Sequence, residues 1–110
     1  MRQYTSLEQT AKLIELGFEK PKSIEKVTYT EQYGCGFEAA YSIGELLSIL
    51  PSTVGKYYDL HIEFSVSKWY VSYYWIGNGG EDHIKYQIST CELIDALYNM
   101  ILTLKEEGVI

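Results

Sequence analysis

In the second half of the chain, apolar and polar residues alternate first with a period of two and then with the period of a helix. In Leu60-His61-Ile62-Glu63-Phe64-Ser65-Val66 the alternation is one for one, which places Leu60, Ile62, Phe64 and Val66 on one face of an extended strand. The next run, Trp69 to Ile76, is aromatic and β-branched enough for a second strand but does not alternate cleanly, so register must assign its faces. With Ser67-Lys68 at the tip, Val66 faces Trp69, Phe64 faces Val71, Ile62 faces Tyr73 and Leu60 faces Trp75. Each pair is apolar or aromatic, whereas a slip of one residue would bury Ser72 and expel Trp75. Ser-Lys is not a favoured two-residue turn, and a longer loop of the same parity fits equally well.

Gly77-Asn78-Gly79-Gly80-Glu81-Asp82 is a turn by composition, and His83 to Ile88 alternates again with Ile84, Tyr86 and Ile88 on the inner face. The outer face is then expected to display His61, Glu63 and Ser65, Tyr70, Ser72 and Tyr74, and His83, Lys85 and Gln87.

Three helices are marked by their ends. Thr5-Ser6-Leu7-Glu8 reads as a capping box, with Leu7, Ala11 and Ile14 at helical spacing and Gly17 as a left-handed stop. That predicts a helix from about Ser6 to Leu16, closed by contact between Leu13 and Phe18. Ser42-Ile43-Gly44-Glu45 is a second box, with Tyr41 and Leu46 placed as a hydrophobic staple and Pro51 ending the helix near Ile49. Ser89-Thr90-Cys91-Glu92 is a third, with Ile88 and Leu93 as staple. Its helix carries a broad stripe of Leu93, Leu97, Ile101 and Leu104, with Ile94, Tyr98 and Met100 beside it, and ends at Gly108 with Leu104 and Val109 as the closing pair.

Between Pro21 and Ala40 the pattern is weak. Val27, Tyr29, Glu31 and Tyr33 suggest an edge strand, and Gly34-Cys35-Gly36 suggests a bend. The expected fold is a single α+β domain over residues 1–110. It is a three-stranded antiparallel meander with one further edge strand near Val27, packed by helices in the order α-(β)-α-β-β-β-α, the last helix crossing the inner face.

Composition narrows the function classes. At 110 residues, 46% hydrophobic and 22% charged, the chain has the size and usage of one globular core. Its net charge of −6, without a basic stripe, counts against nucleic acid, whose affinity comes largely from neutralised phosphates. A basic protein partner is accommodated more easily. Cys35 and Cys91 lie in no metal spacing and read as reduced packing thiols, with a disulfide between them left open. The start of the chain lacks the apolar segment of a signal peptide, and no apolar run reaches the roughly 18 residues of a membrane span. Cytoplasm is the expected location, with no membrane association. The chain is also rich in tyrosine, 11 residues of 110.

With these residues in view, the chain resembles a family of short uncharacterised proteins carried by phage-like and conjugative elements of gut bacteria. The likeness rests on Thr5-Ser6-Leu7-Glu8-Gln9 with Leu13-Ile14-Glu15-Leu16-Gly17, then Ala40-Tyr41-Ser42 with Glu45-Leu46-Leu47 and Leu50-Pro51. It continues through the tyrosine-rich run Trp69 to Trp75 and the closing Ala96-Leu97-Tyr98-Asn99-Met100 with Glu107-Gly108. It covers most of the chain and is weakest over residues 21–38. The family it resembles has no assigned activity or catalytic residues, so the resemblance carries no function across, and no cofactor is expected.

Candidate chemistry is sparse. His61 and His83, the latter beside Glu81 and Asp82, are the only histidines. A metal or acid–base site needs them to converge, while the expected registers put His83 beside Ile76 and His61 about two residue steps off. The glycine-rich run is followed by a strand instead of the helix a phosphate loop requires. No Gly-x-Ser-x-Gly elbow occurs, and Ser42 and Ser89 are accounted for as caps. Cys91 sits where a helix dipole would favour a thiolate, but it reads first as a packed thiol.

What remains is Tyr70 and Tyr74, flanked by His61 and Lys85 on the outer face, as part of a protein-binding patch. The expected function is therefore a non-enzymatic accessory or interaction protein of a mobile element, with a protein partner or a second copy of itself. A small enzyme or metal-binding protein using His61 or His83 is the alternative. A weak single-stranded nucleic-acid binder stacking bases on exposed tyrosines is the other.

Overall fold

The computed structural model describes residues 2–22, 24–30, 34–77 and 79–110. Its first helix, α1 (Leu7–Glu15), is capped one residue later than the sequence suggests. The Ser6 hydroxyl accepts the Gln9 N–H, and the Gln9 side chain accepts the Ser6 N–H, so Gln9 and not Glu8 closes the box. Thr5 is committed elsewhere. Its N–H donates to the Tyr41 carbonyl, its hydroxyl accepts the Tyr41 N–H, and the same hydroxyl bonds Thr10 at 2.7 Å in a buried seam. The other end follows expectation: Gly17 has φ 98°, its N–H reaches the Ile14 carbonyl, and the Phe18 N–H reaches that of Leu13.

The remaining elements are β1 (Ile24–Thr30), β2 (Gly34–Ala39), α2 (Ile43–Ile49), β3 (Thr53–Val54), β4 (Tyr58–Ser65), β5 (Lys68–Ile76), β6 (Asp82–Thr90) and α3 (Leu93–Glu106). The fold is α+β, with β3 to β6 forming a four-stranded antiparallel sheet in chain order. The strand added to the meander is thus Thr53–Val54, paired with Tyr58 and Asp59, and not a strand at Val27. Val27 lies in β1, which pairs with β2 in a separate two-stranded sheet where Val27 is opposite Phe37. The expected bend at Gly34-Cys35-Gly36 is instead the start of β2. Glu31 and Tyr33 lie outside the described residues.

Helix α2 keeps its Ser42–Glu45 capping box, and Tyr41 and Leu46 are both buried. Helix α3 begins later than its box suggests. Ser89 and Thr90 are held extended by pairing with Tyr70 and Trp69, so Glu92 becomes the N-cap and no side chain caps the helix. The Thr90 hydroxyl donates to the Glu92 carbonyl, and the Glu92 carboxylate accepts the Arg2 N–H at 3.1 Å. The sheet ladder, which satisfies several backbone groups at once, outweighs one cap. At the far end Val109 N–H reaches the Leu104 carbonyl, as the closing pair predicts.

The core is built on α3. Leu93, Ile94, Ala96, Leu97, Met100, Ile101 and Leu104 are buried over Val71 and Tyr73 of β5, and Leu13, Leu46 and Leu50 from α1 and α2 join the same cluster. All three helices therefore lie on one side of the sheet. Tyr73 is fully enclosed and donates its phenol to the Pro51 carbonyl at 2.8 Å, tying the central strand to the end of α2.

Register differs from expectation while its parity holds. Phe64 pairs with Trp69, Ile62 with Val71 and Leu60 with Tyr73, and the tip is Val66-Ser67. Both tip residues have positive φ, 51° and 63°, the twist that a two-residue hairpin turn demands. Val66, expected inside, is 89% exposed at this tip, and Phe64 is 58% exposed, with its ring against that of Trp69. Val71 and Tyr73 of β5 still point toward α3, and Trp69 packs against the same core.

Beyond Tyr73 the pairing of β5 with β6 shifts: Tyr73 opposes Tyr86, but Tyr74 opposes Ile84, so Lys85 is the extra residue of a bulge. The bulge reverses the faces that alternation assigns to the first part of β6. Ile84, expected on the inner face, lies opposite Tyr74 and is exposed, while His83 lies opposite Trp75, not Ile76.

Candidate functional site

With every helix on one side, the other side of the four-stranded sheet carries three cross-strand rows. Asp59, Tyr74 and Ile84 make the first, His61, Ser72 and Gln87 the second, and Glu63, Tyr70 and Ser89 the third. Residues two apart on a strand are separated by about 7 Å. The rows thus set two tyrosines about 14 Å apart along β5, each opposite a carboxylate on β4. Ser72, between them, is only 3% exposed, and among the described residues its hydroxyl has no hydrogen-bond partner. Its neighbours on this face are Tyr70, Tyr74, His61 and Gln87, large enough together to enclose so small a side chain.

The proposed contact residues separate. His61 and Tyr74 meet, their ring centroids 5.4 Å apart, and His61 Nε2 is 3.9 Å from a Glu63 carboxylate oxygen. The Tyr74 phenol donates to Asp82 at 2.7 Å, and that hydrogen bond to a carboxylate is the first cause raising its pKa above the ordinary phenol value. Tyr70 is half-buried two rows from Tyr74. Lys85 does not join them. Its bulge turns it toward the other face, where its ammonium sits 5.7 Å from the centre of the Tyr58 ring.

His83 also leaves the expected face. It stacks on Trp75 at 4.6 Å, and Tyr57 stacks on Trp75 at 5.2 Å, so the indole lies between two rings instead of pressing on α3. The two histidines consequently occupy opposite faces of the sheet. Among the described residues no group of three metal-ligating side chains converges.

The glycine-rich turn does hold an anion, but it is the chain's own. A Cβ at Gly77 would lie 2.3 Å from Glu81 Oε1, and one at Gly79 would lie 2.6 Å from Oε2. The carboxylate is folded back into the loop that precedes it. The backbone N–H of Glu81 itself, then the His83 ring, lower its pKa below the usual carboxylate range, with the Gly79 N–H adding to the effect. A phosphate would have to displace this carboxylate. Cys91, expected to be packed, is an exposed thiol in the bend between β6 and α3.

Two clefts border these features. One of about 440 Å³ lies between the end of α1 and α2, and its polar groups are engaged within the fold: the Tyr41 phenol donates to the Glu19 carbonyl, and Glu45 accepts from the Lys22 N–H and from its cap. The other, of about 400 Å³, lies at the Tyr74 end of the open face and is lined by Tyr57, Asp59, His61, Tyr74 and Ile76 among others. Sequence reasoning missed Asp59, Tyr57 and Ile84. Asp59 and Tyr57 precede the alternating run that defined the strand, and Ile84 was assigned by an alternation that the bulge breaks.

No family model matches the chain, and neither a curated protein sequence nor a solved structure is significantly similar to it. Among the described residues no helix is long and apolar enough to cross a membrane.

Proposed function

We propose that this chain is a non-enzymatic interaction module, an accessory protein of a mobile element of the kind it resembles, and that its open sheet face meets a protein partner. The observation carrying this reading is the arrangement of the three rows: tyrosines and an exposed isoleucine lie on the face opposite all three helices, interleaved with hydrogen-bonding groups. Tyrosine supplies large, rigid, amphipathic contact area at small entropic cost, which is why it is enriched where proteins meet. Of the residues first singled out, His61, Tyr70 and Tyr74 belong to this surface and Lys85 does not.

The alternatives draw less support. A metal or acid–base centre on His61 or His83 has one glutamate beside each ring, Glu63 on the same strand as His61 and Glu81 in the turn before His83, with the sheet between the two histidines. Single-stranded nucleic acid stacked on Tyr70 and Tyr74 would bring its phosphates against Asp59, Glu63 and Asp82.

The test is affinity capture from the host with the wild-type chain and a Tyr70→Ser/Tyr74→Ser variant, with light scattering to read self-association. The expected outcome is a partner, or a second copy, held by the wild type and lost from the variant. Identical captures by both would contradict the reading.

A further inference from the structure

The 400 Å³ cleft at the Tyr74 end of the open face combines a carboxylate with aromatic walls. Asp59 is exposed, and among the described residues it makes no ion pair or hydrogen bond. Tyr57, 58% exposed, and Tyr74 both line it, and Leu60, Trp75 and Ile76 add apolar wall. Among the described residues no lysine or arginine lines the cleft; Lys56, next to Tyr57 in the turn, is not part of the wall. Of the carboxylates nearby, Asp82 already accepts the Tyr74 phenol and Glu63 lies beside His61.

These features select a chemistry. Covering Asp59 with a neutral or anionic group would strip its water without compensation, so an occupant that fills the cleft has to bring positive charge. A hard metal ion wants several oxygen ligands at close range, and one exposed carboxylate beside aromatic rings does not supply them. A guanidinium or ammonium is matched on both counts. It meets the carboxylate in a charge-assisted hydrogen bond, lies against the negative face of a ring, and buries its aliphatic stem along apolar wall. The fold itself sets a lysine over an aromatic ring twice, Lys85 over Tyr58 at 5.7 Å and Lys105 over Phe18 at 5.5 Å. The net charge of −6 favours approach of such a partner.

Resting on the interaction reading above, we infer that this cleft receives a basic side chain, arginine or lysine, presented by the protein that docks on the open face. Asp59 is the charge partner, and Tyr57 and Tyr74 hold the stem and the cation. Asp59 and Tyr74 face each other in the ladder, so the charge partner and one ring are held by two paired strands, and Tyr57 comes from the turn that precedes β4. Trp75 is not the platform, because both faces of its indole are taken by Tyr57 and His83.

The experiment is a ¹H–¹⁵N NMR titration of the whole chain with N-acetyl-arginine amide and, separately, with N-acetyl-citrulline amide, the neutral isostere. Affinity for so small a probe is expected on the order of millimolar. The arginine derivative should shift the amides of residues 57–61 and 74–76 and the Trp75 indole N–H, and citrulline should do so about tenfold more weakly. In Asp59→Asn the two responses should converge, and Tyr57→Leu, outside the strands, should weaken the arginine response with the rest of the spectrum unchanged. Equal shifts with both probes, or no localised shift with arginine, would overturn the cation site. The interaction reading is scored apart from this: a partner still lost on Tyr70→Ser/Tyr74→Ser would keep the open face as a contact surface while the cation site falls.

Discussion

Tyr74 and Asp82 are joined by a 2.7 Å hydrogen bond from phenol to carboxylate across the β5–β6 ladder, and the bulge at Lys85 is what brings them into reach. The bond fixes the tip of the Tyr74 ring while its body lies beside His61, giving the open face a positioned aromatic group. In Tyr74→Phe the ring stays and the tether goes. Contacts made by the ring face should survive, and those using the phenol should fail. The same bond delays phenol ionisation, so spectrophotometric titration of the wild type should show a tyrosine titrating above the ordinary range that is missing from Tyr74→Phe and from Asp82→Asn.

Tyr73 gives a pH prediction of known sign. Burial pushes its phenol up to about 12, while in the unfolded chain it titrates near about 10. Between those values the folded state holds a proton that the unfolded state has lost, so stability is complete below about pH 10 and falls as pH rises toward about 12. Urea midpoints measured at about pH 9 and about pH 11 should differ in that direction. Tyr73→Phe should reduce the difference and, by leaving the Pro51 carbonyl without its donor, cost about 1–3 kcal/mol at neutral pH.

The Val66-Ser67 tip holds two non-glycine residues at positive φ, one of them β-branched and almost wholly exposed. Val66→Asn/Ser67→Gly supplies the residues this turn favours and should raise stability by roughly 1–2 kcal/mol, read from the thermal midpoint. A neutral or destabilising result would contradict the observed register. The register tied to a Ser67-Lys68 tip predicts no gain.

At Gly77 a methyl group would meet the folded-back Glu81 carboxylate. Gly77→Ala should push that carboxylate out of its loop, and NMR titration should find its pKa returned upward toward the ordinary value. Because the native pKa is depressed, Glu81 stabilises the fold above the ordinary carboxylate range, and this contribution is lost as pH falls through its lowered value. The alanine variant should show a weaker acid dependence in that window.

How much of this was legible in the sequence depended on how local the signal was. The Ser42–Glu45 box, the Gly17 ending with Leu13 and Phe18, and the apolar stripe of α3 are set by residues within one or two turns of each other, and they stand as read. The parity of β5 was legible because only one parity buries Val71 and Tyr73 together. What failed depended on partners distant in sequence. Thr5 is drawn into a seam with Tyr41, Ser89 and Thr90 are held by the ladder, and the bulge at Lys85 moves His83, Ile84 and Lys85 each to the opposite face. In the site, His61 followed from alternation and Tyr70 and Tyr74 from the parity of the strand pairing, whereas Asp59 and Tyr57 precede the alternating run and carry no signal of their own.

The contact surface can be tested residue by residue with a photo-cross-linking phenylalanine analogue placed at position 70, at position 74 and, as a control on the helical side, at Glu106. Irradiation in the host should join positions 70 and 74 to the same protein, or to a second copy of the chain, and leave the control unlinked. Cross-links of equal yield from the control, or none from the two tyrosine positions, would contradict an open sheet face that serves as the docking surface.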